Sequence, residues 1–185
     1  MATFPKSLCE LRALLTEGRP SWPGEFRRKI QVAERFERLR AEGEGVHFPA
    51  AISSLRVRRG IVARLVAEAR REPAIECCGF LAGRGGVITE ILPARNLLAS
   101  TTAYEIAPEE LFGLFRKMRA SGLEHLGIYH SHPATDNSPS PADIERAYYP
   151  GAAYFIVSPL PENPCPVRAF RIRDGVATEV SVLEE

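Results

Sequence analysis

Excess charge and long apolar runs are both absent from this sequence of 185 residues. Lys and Arg total 24 while Asp and Glu total 23, so the formal net charge is +1. Proteins that bind nucleic acid electrostatically carry a clear positive excess, so this composition does not favour that class. No apolar run approaches the roughly 18 residues of a membrane span, and the N-terminus lacks the pattern of a signal peptide. We therefore expect neither nucleic acid nor a membrane as a partner.

Cysteine is also scarce, and its spacing excludes a secreted disulfide framework. Cys77 and Cys78 are adjacent, Cys9 and Cys165 stand alone, and no C-x-x-C pair is present. Small secreted domains use regularly spaced cysteines to form disulfide cross-links, whereas reduced cytosolic proteins do not. The cysteine pattern therefore predicts a soluble, unprocessed cytoplasmic protein.

The chain is long enough for one compact domain, and its first part differs from the rest. Charged residues crowd residues 25–40, where apolar residues recur at helical spacing. This pattern predicts a helix over residues 25–42 that ends at Gly43. We divide the chain into an N-terminal helical extension, residues 1–55, and a main domain, residues 56–185. The extension has three open roles, which are covering a groove, forming a homodimer and docking a substrate.

Helix and strand patterns alternate after residue 55. Apolar spacing, prolines and glycines predict helices over residues 58–71 and 108–122, and a short helix beginning at Pro141. The final two strands alternate apolar and polar residues around the Asp174-Gly175 turn, which indicates a meander. The fold class is therefore mixed α/β (α+β). Strands are predicted over residues 77–82, 87–92, 124–130, 153–158, 167–173 and 176–182.

The four histidines and three aspartates are few enough that a cluster of them is informative, and one stretch holds two histidines and an aspartate. His130 and His132 are one residue apart at the end of a predicted strand, so their side chains point the same way. Asp143 follows eleven residues after His132, in the first turn of a helix that Ser140 would cap. Two imidazoles and one carboxylate with an open fourth position are typical of catalytic zinc sites.

This spacing is rare by chance. The composition gives the H-x-H pair with Ser and Asp at these offsets a chance frequency of roughly one in ten thousand. A purely structural interpretation remains for part of it, because Ser140 and Asp143 also form an ordinary helix N-cap with an acidic first turn. His47 and His125 have no predicted role.

A zinc hydrolase also needs a general base that is not a metal ligand. Glu76 is the preferred candidate because it begins a buried apolar strand, where desolvation would raise its pKa towards neutrality. The glutamates considered for this role are Glu72, Glu76, Glu90, Glu105, Glu124 and Glu145.

Three segments together resemble the JAMM (MPN+) metalloprotease family, in its bacterial branch. They are residues 76–83 (ECCGFLAG), 127–133 (GIYHSHP) and 140–143 (SPAD). Residues 93–96 (PARN) and 104–108 (YEIAP) also look like the stretch that precedes the long helix of bacterial members. The resemblance covers residues 56–182. It implies a cytidine-deaminase-like fold, with a central mixed β-sheet flanked by helices.

The resemblance also implies roles for single residues. His130, His132 and Asp143 would bind one Zn²⁺ per chain, with a catalytic water as the fourth ligand. Glu76 would be the general acid/base and Ser140 would stabilise the oxyanion, while Ser131 would have a structural role. The implied reaction is hydrolysis of peptide or isopeptide bonds after the C-terminal Gly-Gly of ubiquitin-like or sulfur-carrier proteins of β-grasp fold.

Two other functions stay open at this point. Cys77 or Cys78 could act as a nucleophile or redox pair, although both lie in an apolar strand where thiols stay protonated. The chain could also be a non-catalytic scaffold, because metal-free members of this fold serve as assembly modules. Such modules usually lack the ligand set that is complete here.

Overall fold

A computed structural model describes residues 54–185, all of which belong to one compact unit spanning residues 47–185. The helix predicted over residues 25–42, together with Cys9 and His47, lies outside the described residues. The division into an extension and a main domain therefore stays a prediction.

Seven strands form a mixed sheet that closes into a barrel, with the order β1-β3-β2-β4-β5-β6-β7 and β7 paired back to β1. The pairs β1–β3, β1–β7 and β4–β5 are parallel, and the other pairs are antiparallel. The strands are β1 (Ser54–Val57), β2 (Cys78–Arg84), β3 (Val87–Ala94), β4 (Glu124–Ser131), β5 (Ala153–Val157), β6 (Val167–Arg173) and β7 (Val176–Glu184).

Within residues 54–185, three helices accompany the barrel: α1 (Ile61–Ala69), α2 (Pro108–Ala120) and α3 (Pro141–Glu145). All three were predicted, and α1 and α2 are shorter than predicted at their ends. Pro108 and Pro141 both occupy the first turn of their helices, where a missing backbone N–H costs nothing. None of the helices in the described part of the chain is long and apolar enough to cross a membrane.

The central strands are buried on both faces. In β5, Ala153, Phe155 and Val157 pack with α1, while Tyr154 and Ile156 pack with residues of α2 on the other face. Helix α1 contacts β3, β5 and β6, which are not all neighbours in the strand order, so it packs against separate parts of the sheet. The predicted mixed α/β fold and C-terminal meander are confirmed.

The strand β1 and the closure of the barrel were not predicted. β1 has only four residues, too few for a reliable alternation, and it begins before the boundary drawn at residue 55. Its pairing with β7 and β3 joins segments more than 30 residues away in sequence. No local pattern encodes such long-range pairing.

The register between β2 and β4 determines which residues meet at one end of the barrel. Cys78 pairs with His130, so the antiparallel strands carry Glu76 towards His132. The backbone N–H of Ser131 donates to the Cys77 carbonyl at 3.0 Å. The Ser131 hydroxyl accepts from the Cys77 N–H at 2.9 Å, which agrees with the structural role expected for Ser131.

Substitution of Gly79 tests this close strand packing. A Cβ at Gly79 would lie 2.4 Å from the Leu92 carbonyl oxygen and 2.7 Å from Cε1 of Tyr129. We expect Gly79→Ala to lower the free energy of unfolding by about 1–3 kcal/mol or more, measured by urea denaturation. Gly113 in α2 is the matched control, because nothing lies within 4 Å of its added Cβ. Gly113→Ala should raise stability by up to about 1 kcal/mol, and equal effects of the two changes would contradict this account.

Candidate metal centre and catalytic residues

His130 and His132 lie at the end of β4 and point to the same side, as strand alternation predicts. Both are buried, and their Nε2 atoms are 3.0 Å apart. The parallel pairing of β4 with β5 continues through this region, where the His132 N–H donates to the Val157 carbonyl at 2.9 Å. The backbone positions of the two histidines are therefore fixed by the centre of the sheet.

Asp143 reaches the histidines from the first turn of α3. Ser140 caps this helix with a reciprocal capping box, in which its hydroxyl accepts from the Asp143 N–H while its own N–H donates to Asp143 Oδ2 at 2.7 Å. Asp143 Oδ1 is 3.1 Å from His130 Nε2, and Oδ2 is 3.4 Å from His132 Nε2. The structure thus brings together the three residues predicted as metal ligands.

The two imidazole rings are oriented in different ways. His132 Nδ1 lies 2.8 Å from the Asp136 carbonyl oxygen, so Nδ1 carries the proton in this hydrogen bond. A neutral His132 therefore presents a lone pair at Nε2. His130 Nδ1 is buried without a hydrogen-bond partner, and its ring stacks on Tyr104 with a centroid separation of 4.7 Å.

The charges at the site favour a bound cation. Burial opposes ionisation of Asp143, but hydrogen bonds from His130 and His132 hold its pKa well below the usual range. Burial lowers the pKa of His130. At His132 burial acts in the same direction, but the hydrogen bonds to Asp143 and Asp136 raise the pKa overall. An ionised carboxylate therefore attracts positive charge to the point where the two imidazoles converge.

The donor set fits Zn²⁺. One nitrogen from each histidine and one oxygen of Asp143 lie within 4.8 Å of one another. The two Nε2 atoms face each other at 3.0 Å, so one cation can bind both imidazoles once these nitrogens carry no proton. Two imidazoles and a carboxylate are the ligands of catalytic zinc, which keeps one position open.

Glu76 lies beside this centre, just before β2, and is 4% exposed. Burial raises its pKa from 4.5 to about 7, while His132 lowers the pKa and Asp143 raises it. A carboxyl group with this pKa takes up and releases protons near neutral pH. Asn96 fixes the backbone of Glu76, because its Nδ2 donates to the Glu76 carbonyl at 3.0 Å.

The Ser140 hydroxyl donates to Asp143 Oδ2 at 2.7 Å. The oxyanion role predicted for Ser140 requires this hydroxyl to turn from the carboxylate towards a substrate carbonyl. A serine hydroxyl rotates freely about one bond, so its position in the capping box allows that change.

The thiols and His125 do not contribute to this site. Burial raises the pKa of Cys77 to about 11 and that of Cys78 to about 12, which keeps both thiols protonated and argues against the thiol-enzyme alternative. His125 lies among aromatic rings, with centroids 4.5 Å from Phe80 and 5.3 Å from Tyr149. Burial lowers its pKa to about 4, so His125 is a neutral core residue.

The sequence reasoning assigned no role to three groups that support the site. Tyr104 and Asn96 belong to segments noted only for their family resemblance, and the pattern did not indicate what they contact. The third group is the Asp136 carbonyl, which gives no sequence signal because every residue has a backbone carbonyl. Asn96 also donates to the Ala103 carbonyl and accepts from the N–H groups of Leu98 and Glu105.

Comparisons with known proteins define the class. The family model described as prokaryotic homologs of the JAB domain matches residues 58–173. CysO-cysteine peptidase of Mycobacterium tuberculosis is 36% identical over 133 residues, which are 70% of this chain and 91% of that protein. Desampylase of Haloferax volcanii is 41% identical over 91 residues, 48% of this chain and 66% of that protein.

A solved structure has a similar fold. A protein from Desulfitobacterium hafniense has a TM-score of 0.62 at 30% identity, over 70% of this chain and 91% of that chain. The chain belongs to the prokaryotic JAB family. It is a peptidase of the JAMM type.

Asn96→Asp tests whether the Asn96 amide organises the backbone around Glu76. The aspartate keeps both acceptor interactions but loses the donors to the Glu76 and Ala103 carbonyls. We expect the free energy of unfolding to fall by about 2 kcal/mol in urea denaturation of metal-free protein. Asn163→Asp is the control, since Asn163 Oδ1 accepts from the Cys165 N–H and an aspartate retains that bond. A similar loss in both variants would refute the role of the amide.

Proposed function

We propose that this peptidase is zinc-dependent, with Zn²⁺ held by His130, His132 and Asp143. The observation that carries this proposal is the convergence of ligand atoms from two buried histidines and the partly buried Asp143, beside a buried carboxyl group whose pKa is about 7. Zn²⁺ in such a site acts as a Lewis acid that increases the acidity of water and polarises a carbonyl group.

The remaining chemistry belongs to residues of the chain. Glu76 accepts the proton of the attacking water and then transfers it to the amine that leaves. Its buried position raises the carboxyl pKa to about 7, so the group can both accept and release a proton near neutral pH. The Ser140 hydroxyl donates a hydrogen bond to the carbonyl oxygen as negative charge develops there. The products are a carboxylic acid and a free amine.

The proposed substrates are conjugates or extensions of a small ubiquitin-like or sulfur-carrier protein, cleaved after its C-terminal Gly-Gly. The names of the relatives support this, since they describe cleavage of CysO-cysteine and removal of a small protein modifier. A Gly-Gly tail is thin and extended, which suits a narrow site. The cytoplasmic location and a homodimer remain predictions.

The edge of β3 is the proposed binding place for the tail. Among the described strands, β3 pairs with β1 only at Val87 and Ile88, whereas its other side pairs with β2 along its length. Residues 89–94 therefore offer backbone groups to an added strand. This edge ends at Ala94, which pairs with Cys78, so a tail bound there would run towards Glu76.

The scaffold alternative is less consistent with the site. A scaffold gains nothing from a partly buried carboxylate and two buried imidazoles that converge, since burial of such groups is costly unless a ligand or partner compensates it. Metal content separates the two functions directly. A purified protein without zinc, and without added stability when zinc is supplied, would favour the scaffold.

Glu76→Gln and His132→Ala separate the base from the ligands. Glu76→Gln should retain zinc but lose at least about 100-fold in kcat, because a glutamine cannot accept the proton. His132→Ala should lose both zinc and hydrolysis. Zinc is measured by elemental analysis and hydrolysis by mass spectrometry. Glu72→Gln is the control, since Glu72 is exposed and should turn over substrate normally. Normal turnover by Glu76→Gln would show that another group is the base.

The substrate class is tested with the organism's own sulfur-carrier proteins, extended by one residue or conjugated to a lysine peptide after Gly-Gly. We expect zinc-loaded enzyme to release the carrier with a free Gly-Gly terminus, seen by intact mass. A chelator should stop the reaction and added zinc should restore it. Carriers ending in Ala-Ala should react more slowly, because each Cβ widens the tail. Cleavage that persists after zinc removal would refute the proposal.

A further inference from the structure

The loop between His132 and Ser140 controls the orientation of one proposed zinc ligand. His132 Nδ1 is bonded to the Asp136 carbonyl at 2.8 Å, four residues later. Residues 133–140 contain neither helix nor strand. The direction of that carbonyl therefore depends on side-chain contacts that hold the loop.

A local turn fixes Asp136. Its Oδ1 accepts from the Ser138 N–H at 3.1 Å, and its Oδ2 accepts from the Ser138 hydroxyl at 3.2 Å. Asn137 is buried, and its Nδ2 donates to the Cys165 carbonyl at 2.8 Å. Asn137 thus attaches the loop to the connection between β5 and β6, while Ser138 determines the shape of the turn.

Arg168 on β6 fixes Ser138 from outside the loop. Its Nη1 donates to the Ser138 hydroxyl oxygen at 2.7 Å. Its Nε and Nη2 donate to the two carboxylate oxygens of Glu179 on β7, at 2.9 and 2.6 Å. The guanidinium also lies 5.1 Å from the centroid of the Phe170 ring. These contacts hold the guanidinium in one orientation, so it is a rigid link from the barrel to the loop.

We propose that Arg168 is a positioning residue that sets the orientation of His132 through Ser138 and Asp136, and thereby the affinity of the site for Zn²⁺. This inference rests on the proposed metal centre. The connection runs from Glu179 through Arg168, Ser138 and the Asp136 carbonyl to His132 Nδ1. Groups that orient metal ligands in this way typically change metal affinity by 10- to 100-fold when removed.

The fork of the arginine is necessary in this arrangement. Two parallel hydrogen bonds to Glu179 use one side of the guanidinium, and Nη1 is left to reach Ser138. A lysine has a single ammonium group and cannot satisfy both partners with this geometry. Arg168→Lys should therefore fail to restore zinc affinity, although it keeps the positive charge.

The test measures zinc affinity by competition with a chromophoric chelator, alongside urea denaturation of the metal-free proteins. We expect Arg168→Met to weaken zinc binding about 10-fold, near the lower end of the range for groups that orient ligands. Ser138→Ala should have at least the same effect, because it removes the acceptor of that hydrogen bond and also the hydroxyl that donates to Asp136. The double variant should bind zinc no more weakly than Ser138→Ala alone, since both changes interrupt one connection.

Arg171→Met is the matched control. Arg171 lies on the same strand and donates through Nη1 to the Gly151 carbonyl at 2.7 Å, away from the loop. The zinc affinity of Arg171→Met should stay within about twofold of wild type, which corresponds to about 0.4 kcal/mol. A change this small is expected for a residue that is not coupled to the site. A loss of stability in Arg168→Met with unchanged zinc affinity would overturn the inference, as would additive effects in the double variant.

If Arg168→Met does not fold, the test rests on Ser138→Ala. Wild-type zinc affinity in Ser138→Ala would then overturn the inference. Wild-type protein that binds no zinc would refute the proposed metal centre itself. If wild-type protein binds zinc and the variants bind it with the same affinity, only the role of Arg168 is refuted.

Discussion

The pairing of Cys78 with His130 is the constraint on which the site depends. It joins the start of β2 to the end of β4, and hydrogen bonds between Cys77 and Ser131 extend it. Because side chains alternate along a strand, a slip of one residue would turn the histidines away from Glu76. The close approach of β2 to its neighbours at Gly79 helps to prevent that slip.

The proposed metal centre combines two ligands from the central sheet with one from a short helix. The histidines belong to a central strand with partners on both sides, whereas Asp143 depends on the capping box at the start of α3. In the Asp143 carboxylate, Oδ2 accepts both hydrogen bonds from Ser140, whereas Oδ1 takes no part in the capping box and lies 3.1 Å from His130 Nε2. The capping box therefore leaves one carboxylate oxygen for the proposed metal.

Local pattern predicted much of the fold and of the site, and the failures have one physical cause. The strand ending in His130 and His132, the capped helix carrying Asp143 and the buried position of Glu76 all follow from short-range spacing. The strand β1, the closure by β7 and the contacts of Arg168 join segments distant in sequence. The orienting group at Asp136 is a backbone carbonyl, which has no residue signature. Periodicity shows which face a residue occupies and leaves its partner across the barrel undetermined.

Two carboxyl groups of the site differ in protonation because of their surroundings. Asp143 receives hydrogen bonds from both histidines, so its charge is stabilised although burial opposes it. At Glu76 burial is the largest influence and raises the pKa to about 7. Carboxyl groups whose pKa values are separated in this way can take different roles at one pH. This difference supports the proposed roles, in which Asp143 stays ionised as a metal ligand and Glu76, which can exist in both forms near neutrality, transfers the proton.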